Sequence, residues 1–135
     1  MKKGKLVFHY LFFFIVTGLL ASSFNKTFAQ ETRPYVRIAT IVVDSLQLNN
    51  YKTALKEHAE AAVAKEPGVL TLYAVYHKER PTHVTVFEIY ADVPAYQSHI
   101  LTTHFLKYKT TVSGMVKSLV LTDVVPIALE AKSKI

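Results

Sequence analysis

After residue 34, the pattern of apolar and polar positions alternates between segments typical of strands and segments with the spacing of a helix. β-Branched and aromatic residues dominate four short segments, which predicts strands over residues 35–43, 69–77, 83–91 and 118–126. Between the first two strands, apolar residues recur at helical spacing, at Tyr51, Leu55, Ala59, Ala62 and Val63. This helix is predicted to begin near Leu48 and to end at Glu66-Pro67-Gly68, because proline disfavours helix in the residue before it.

A second helical region follows the third strand, with Asp92 as its predicted cap and Pro94 in its first turn. It does not fit one straight helix. The apolar stripe consists of Leu101, Phe105, Tyr108, Val112 and Met115, and His99 points away from it. A bend at Thr102-Thr103 removes the conflict, so two successive helices are predicted, with Gly114 as the stop signal.

The predicted order is β-α-β-β-α-β, which is the ferredoxin-like α+β arrangement. It forms one domain over residues 35–128, preceded by a short linker at 30–34 and followed by a polar tail at 129–135. The strands are apolar on both faces, as Val36, Ile38 and Val42 illustrate, whereas two helices cover only one face of a four-stranded sheet. We therefore expect a second copy of the chain to cover the other face in a homodimer.

The first 29 residues have the composition of an export signal. Lys2, Lys3 and Lys5 precede the apolar run Leu6–Ala21, and Thr27-Phe28-Ala29 offers a cleavage site. The run is shorter than the roughly 20 residues that span a bilayer, although an uncleaved N-terminal anchor remains the alternative. We expect an exported protein, periplasmic or secreted, with no stable membrane association after cleavage.

Charge and cysteine content exclude several classes of function. The net charge is +6, but four of the 16 basic residues and none of the 10 acidic residues lie in the signal, so 12 basic and 10 acidic residues leave +2 beyond it. The remainder carries no basic stripe, which argues against a nucleic-acid partner. The absence of cysteine excludes disulfides, thiol catalysis and a lipid on a processing-site cysteine.

The candidate chemistry is concentrated in residues 88–105. An imidazole titrates near neutrality and is an efficient base for a phenol, whose pKa is about 10, and a carboxylate bonded to the imidazole would orient it. Glu88 and His99 are expected to form this pair, with His104 as a further catalytic candidate. Expected substrate-binding residues are Tyr73, Tyr90, Tyr96, Phe105, Tyr108 and His58. Each has a purely structural alternative, as a fold-stabilising hydrogen-bond partner or a core aromatic.

A metal site is not expected. His99 and His104 are five residues apart, which does not stack them on one helical face, although a bend between them could bring them together. The chain also lacks the Gly-x-Ser-x-Gly motif of acyl-enzyme chemistry.

Three segments in order carry a resemblance to a known family. They are Lys65-Glu66-Pro67-Gly68-Val69-Leu70-Thr71-Leu72-Tyr73, then Glu88-Ile89-Tyr90, then His99 followed by His104-Phe105. The chain resembles the antibiotic biosynthesis monooxygenase domain family, dimeric α/β-barrel proteins that include quinol monooxygenases. It departs from the family at Tyr90, where tryptophan is common, and it contains no tryptophan, which disfavours the haem-degrading branch.

The resemblance implies a dimeric barrel with a pocket between each sheet and its helices. It also implies a cofactor-independent monooxygenase that needs neither metal nor flavin and combines a small quinol or polyphenol-like substrate with molecular oxygen. Fold membership alone does not fix the reaction. The alternatives are an isomerase of a small oxygenated metabolite and a non-catalytic small-molecule-binding protein of the same fold.

Overall fold

The computed structural model describes residues 33–132, so the predicted export signal and the end of the tail lie outside the described residues. The strands are β1 (Tyr35–Val43), β2 (Val69–Tyr76), β3 (His83–Tyr90) and β4 (Val116–Val124), and the helices are α1 (Leu48–Lys65), α2 (Val93–His99) and α3 (Thr103–Val112), with a 3₁₀ turn at Ser45–Gln47. The four strands form one antiparallel sheet in the order β2-β3-β1-β4. This is the predicted ferredoxin-like α+β fold, and the sheet within one chain is open.

The predicted break between α2 and α3 is confirmed, and Thr102 explains it. Its Oγ1 donates a hydrogen bond to the carbonyl oxygen of His99 at 2.8 Å and accepts one from the backbone N–H of Phe105 at 3.3 Å. One side chain therefore closes α2 and caps α3. Among the described strands, β4 alone has boundaries that differ from the prediction by more than one residue. The predicted range is 118–126, whereas the strand begins at Val116, which pairs with Val43 across a register shift in β1, and ends at Val124.

The helices pack against one face of the sheet. The main core cluster contains Ala39, Ile41, Val43, Tyr51, Leu55, Val84, Val86 and Val112. A smaller cluster of Ala62, Val69 and Tyr90 joins the end of α1 to β2 and β3. A Cβ atom at Gly68 would lie 2.6 Å from the Cβ of Ala95, so only glycine allows α2 to approach the α1–β2 turn this closely.

The opposite face of the sheet is apolar and largely open within one chain. Strand register places Ile38, Phe87 and Tyr73 in one row of this face, with Val75 and Val120 nearby. Tyr73, Val75 and Val120 are 53%, 61% and 55% exposed. Monomeric proteins rarely leave such a patch uncovered.

Among the described residues, no helix is both long enough and apolar enough to cross a membrane.

Candidate active site

A cavity of about 510 Å³ lies between the sheet and the three helices, and we call it the inner cavity. Its walls are mostly apolar side chains, including Ile41, Leu55 and Leu72. The polar groups that border it are Arg37, Tyr51, His58, Glu88, Tyr90, Tyr96, His99 and Tyr108. An apolar cavity of this size with a few converging polar groups is typical of a small-molecule site.

Two imidazoles share one carboxylate beside this cavity. Glu66 Oε1 lies 2.9 Å from His99 Nδ1 and 2.5 Å from His104 Nε2. We call Glu66, His99 and His104 the glutamate–histidine cluster. A carboxylate only accepts hydrogen bonds, so both ring nitrogens donate. His99 consequently carries its proton on Nδ1, which leaves Nε2 as the ring nitrogen that can accept a proton.

Three breaks in regular structure bring the cluster together. Glu66 is the C-cap of α1, with extended backbone before Pro67. His99 ends α2, and His104 lies in the first turn of α3. The bend at Thr102 therefore overcomes the five-residue spacing, and the nitrogen and oxygen donors of the cluster all lie within 4.8 Å of one another, close enough to hold a metal ion.

Burial decides the charge of His99. Its side chain is 2% exposed, and this burial lowers its pKa below the usual range, although the hydrogen bond and charge of Glu66 act in the opposite direction. His99 is therefore neutral near neutral pH, which is the form that a general base requires.

His58 is buried beside the cluster with its Nδ1 lacking a partner among the described residues. Its ring stacks on Tyr108, with the centroids 4.7 Å apart and the planes 12° apart, and its centroid is 5.2 Å from that of His99. Burial, followed by the charges of His99 and His104, lowers the pKa of His58 to about 4. His58 thus presents a neutral ring to the cavity.

The expected pairing of Glu88 with His99 is wrong. Glu88 accepts a hydrogen bond from the hydroxyl of Tyr90 at 3.0 Å, whereas His99 is bonded to Glu66. Both residues nevertheless border the inner cavity. Burial raises the pKa of the Glu88 carboxyl, and the Tyr90 hydrogen bond and Arg37 partly oppose this shift. Glu88 can therefore act as a hydrogen-bond acceptor for a ligand hydroxyl.

The tyrosines provide hydrogen-bond donors and ring faces. Tyr51 and Tyr108 hydroxyls are 3.0 Å apart, and burial raises the pKa of both phenols, as it does for Tyr90. These side chains therefore stay neutral near pH 7. Tyr90, Tyr96, Tyr108, His58 and Phe105 all border the inner cavity as predicted. Their role in binding stays a prediction.

Tyr73 and His104 do not border the inner cavity. Tyr73 pairs with Phe87 on the face of the sheet that points away from the helices, so its expected position in the cavity wall is wrong for one chain. His104 borders a second cavity of about 310 Å³ between α1 and α3, which we call the outer cavity. His58 and Tyr108 border both cavities and form the wall between them.

Sequence reasoning missed Glu66 and a charged group around Arg37. Arg37 Nη1 donates to the hydroxyl of Tyr96 at 2.5 Å, and its guanidinium lies 4.4 Å from the centre of that ring. Its Nε and Nη2 both lie 2.8 Å from Asp123 Oδ1, which also accepts from Tyr35. Two features of the sequence could have indicated these residues. Arg37 is an isolated arginine inside an apolar strand, and Glu66 is the acid of the Glu-Pro-Gly turn.

The fold and sequence have clear counterparts among known proteins. The family described as "Antibiotic biosynthesis monooxygenase" matches residues 34–111. A structure from Bacteroides thetaiotaomicron named for that family is 49% identical, with a TM-score of 0.72, and the match covers 76% of this chain and 97% of that one. A monooxygenase-named structure from Lactobacillus acidophilus is 26% identical, with a TM-score of 0.68, over 69% of this chain and 44% of that one.

A structure from Nitrosomonas europaea, also named for the family, shares the fold at 21% identity with a TM-score of 0.66, over 70% of this chain and 99% of that one. No curated protein sequence matches the chain. Since the family match spans more than half of the sequence and includes Glu66, Glu88, His99 and His104, the chain belongs to the antibiotic biosynthesis monooxygenase family.

Proposed function

We propose that the protein is an exported, homodimeric, cofactor-independent monooxygenase that oxidises a small quinol or polyphenol-like aromatic compound. The observation that carries the proposal is the environment of the His99 imidazole. His99 is a neutral, buried imidazole at the wall of an apolar cavity, and its Nδ1–H is held by Glu66 at 2.9 Å. This arrangement gives the cavity a base oriented by a carboxylate.

The cavity suits a flat aromatic ligand. Its volume of about 510 Å³ falls within the range of small-molecule sites, roughly 300–1,000 Å³. Phe105 and Tyr108 provide ring faces for stacking, and Glu88 can accept a hydrogen bond from a phenolic hydroxyl. The ligand would replace water along an apolar wall.

The first step is removal of the phenolic proton. Nε2 of His99 accepts it, and the resulting imidazolium keeps its Nδ1–H bond to Glu66, whose negative charge stabilises it. General base catalysis of this kind contributes about 10²–10⁴-fold. In the Tyr51–Tyr108 pair one hydroxyl donates to the other, so the second hydroxyl proton can be donated to the phenolate.

The phenolate then reduces molecular oxygen. It transfers one electron to oxygen, and the radical pair combines to form a carbon–oxygen bond at a ring carbon that bears hydrogen. The peroxide takes the proton back from His99 and loses water, which leaves a carbonyl at that carbon. One phenol and one O₂ therefore give one quinone and one water, without an external reductant.

The proposed assembly and location have separate support. The open apolar face with Tyr73, Val75 and Val120 is the surface that a second copy would cover. Residues 1–29 contain a basic segment, then an apolar run and then small residues. This order is typical of an export signal and supports the proposed export.

Oxygen consumption with a panel of hydroquinones and polyphenols tests the reaction. We expect uptake of one O₂ per substrate, with a quinone as product, and a loss of about 10²–10⁴-fold in His99→Ala. His77→Ala, an exposed histidine outside the site, is the matched control and should keep full activity. A folded, fully active His99→Ala protein would exclude the proposed base. A product of unchanged mass would indicate the isomerase, and tight binding without turnover would indicate the binding protein.

A further inference from the structure

We propose that the glutamate–histidine cluster is also a binding site for a divalent transition-metal ion of the zinc class. The inference rests on the donor atoms and their placement and is independent of the proposed function. It assigns Glu66 Oε1, His99 Nδ1 and His104 Nε2 as ligands to a single ion.

The donors converge from three separate elements. Glu66 projects from the end of α1, His99 from the end of α2, and His104 from the start of α3. Their ligand atoms lie within 4.8 Å of one another. Zinc binds imidazole nitrogen and carboxylate oxygen at about 2.0–2.2 Å, so an ion between the three atoms would replace the two hydrogen bonds that Glu66 now accepts.

The charge and chemistry of the donors favour a dication. Within the described chain, the two imidazoles are the only basic groups within ion-pair distance of Glu66. A carboxylate with two neutral imidazoles offers one negative charge and two nitrogen ligands in a site where the side chains are between 2% and 18% exposed. Imidazole suits zinc, cobalt and their neighbours, whereas calcium and magnesium prefer oxygen donors.

An ion can reach the glutamate–histidine cluster through the outer cavity. His104 borders that cavity, and His99 borders the inner cavity, so a bound ion would lie in the wall between them. One hydrogen bond outside the cluster would remain when an ion binds, because Thr102 Oγ1 donates to the carbonyl oxygen of His99 at 2.8 Å and so fixes the end of α2.

Metal binding and the proposed base activity would exclude each other. A neutral imidazole that binds a metal through Nδ1 carries its proton on Nε2. Nε2 of His99, the nitrogen that accepts the proton in the proposed reaction, would then be a donor and no longer an acceptor. The same three side chains would therefore hold either an ion or a free base.

Calorimetric titration of the untagged protein with Zn²⁺ alone tests the site, with Co²⁺ absorption as a second probe. We expect one ion per chain. Glu66→Gln, which keeps the size of the side chain, and His104→Ala should each weaken binding by at least about tenfold, since even outer-shell changes cost 10–100-fold in metal sites. His77→Ala is the matched control and should bind as the unchanged protein does.

NMR signals of the histidine rings in the unchanged protein provide a second readout. This readout does not depend on the folding of any variant. Zn²⁺ should shift the signals of His99 and His104 before those of His77 and His83. Affinity weaker than about 1 mM would overturn the proposal. So would unchanged affinity in folded Glu66→Gln and His104→Ala proteins, or a first shift at His77 or His83. None of these measurements uses an organic substrate, so their failure is separate from failure of the proposed reaction.

Discussion

His58 should make the protein less stable as the pH falls, and the size of the effect can be worked out. The ring is buried and its Nδ1 has no partner among the described residues, so its pKa is about 4 in the folded protein against 6.5 for an ordinary histidine. The unfolded chain therefore binds the proton more readily, and stability is lost as the pH falls from about 6.5 toward 4. The expected loss is about 2 kcal/mol by pH 5 and about 3 kcal/mol by pH 4.

The matched variant is His58→Phe, which keeps a ring against Tyr108 and removes the titrating group. Denaturant unfolding of both proteins at fixed protein concentration, between pH 7.5 and pH 4, gives the difference in their free energies of unfolding. A chelator keeps the neighbouring cluster free of metal. Stability curves that stay parallel down to pH 4 would refute the reasoning.

Three further outcomes follow from the packing, the open face of the sheet and the first residues of the chain. Gly68→Ala should lower the free energy of unfolding by about 1–3 kcal/mol, because its Cβ would lie 2.6 Å from that of Ala95, whereas Gly114→Ala has open space and should change it little. Light scattering at micromolar concentration should give a dimer mass that Val75→Glu lowers, and a stable unaltered monomer would contradict this. Mass spectrometry of the native protein should find an N-terminus near Gln30, and an intact N-terminus in a soluble cytoplasmic fraction would contradict export.

The fold could be predicted because each local signal agrees with the others. The bend before α3 is an example. His99 could not share a face with Phe105 in one straight helix, and Thr102 is a residue type that caps helices. Both facts can be read from residues that are neighbours in the sequence. The structure adds only the hydrogen bonds through which Thr102 closes one helix and begins the next.

The partner of His99 could not be predicted in the same way. Glu66 is 33 residues away, and its position depends on how closely α2 packs against the α1–β2 turn. That distance is set by Gly68 against Ala95, which no periodicity reveals. Glu88 was the nearer acid in sequence, but it lies on β3 beside Tyr90, and their hydrogen bond satisfies one of its carboxylate oxygens.

Two stacked rings, those of His58 and Tyr108, border both cavities and separate them. Because both rings touch both spaces, shortening His58 to alanine would join a surface recess to the apolar interior. The joined space would be a passage for small apolar gases such as oxygen, running past His104 and Lys107 toward the sheet. His58 is therefore one of the two side chains whose size keeps the inner cavity separate from the outer cavity.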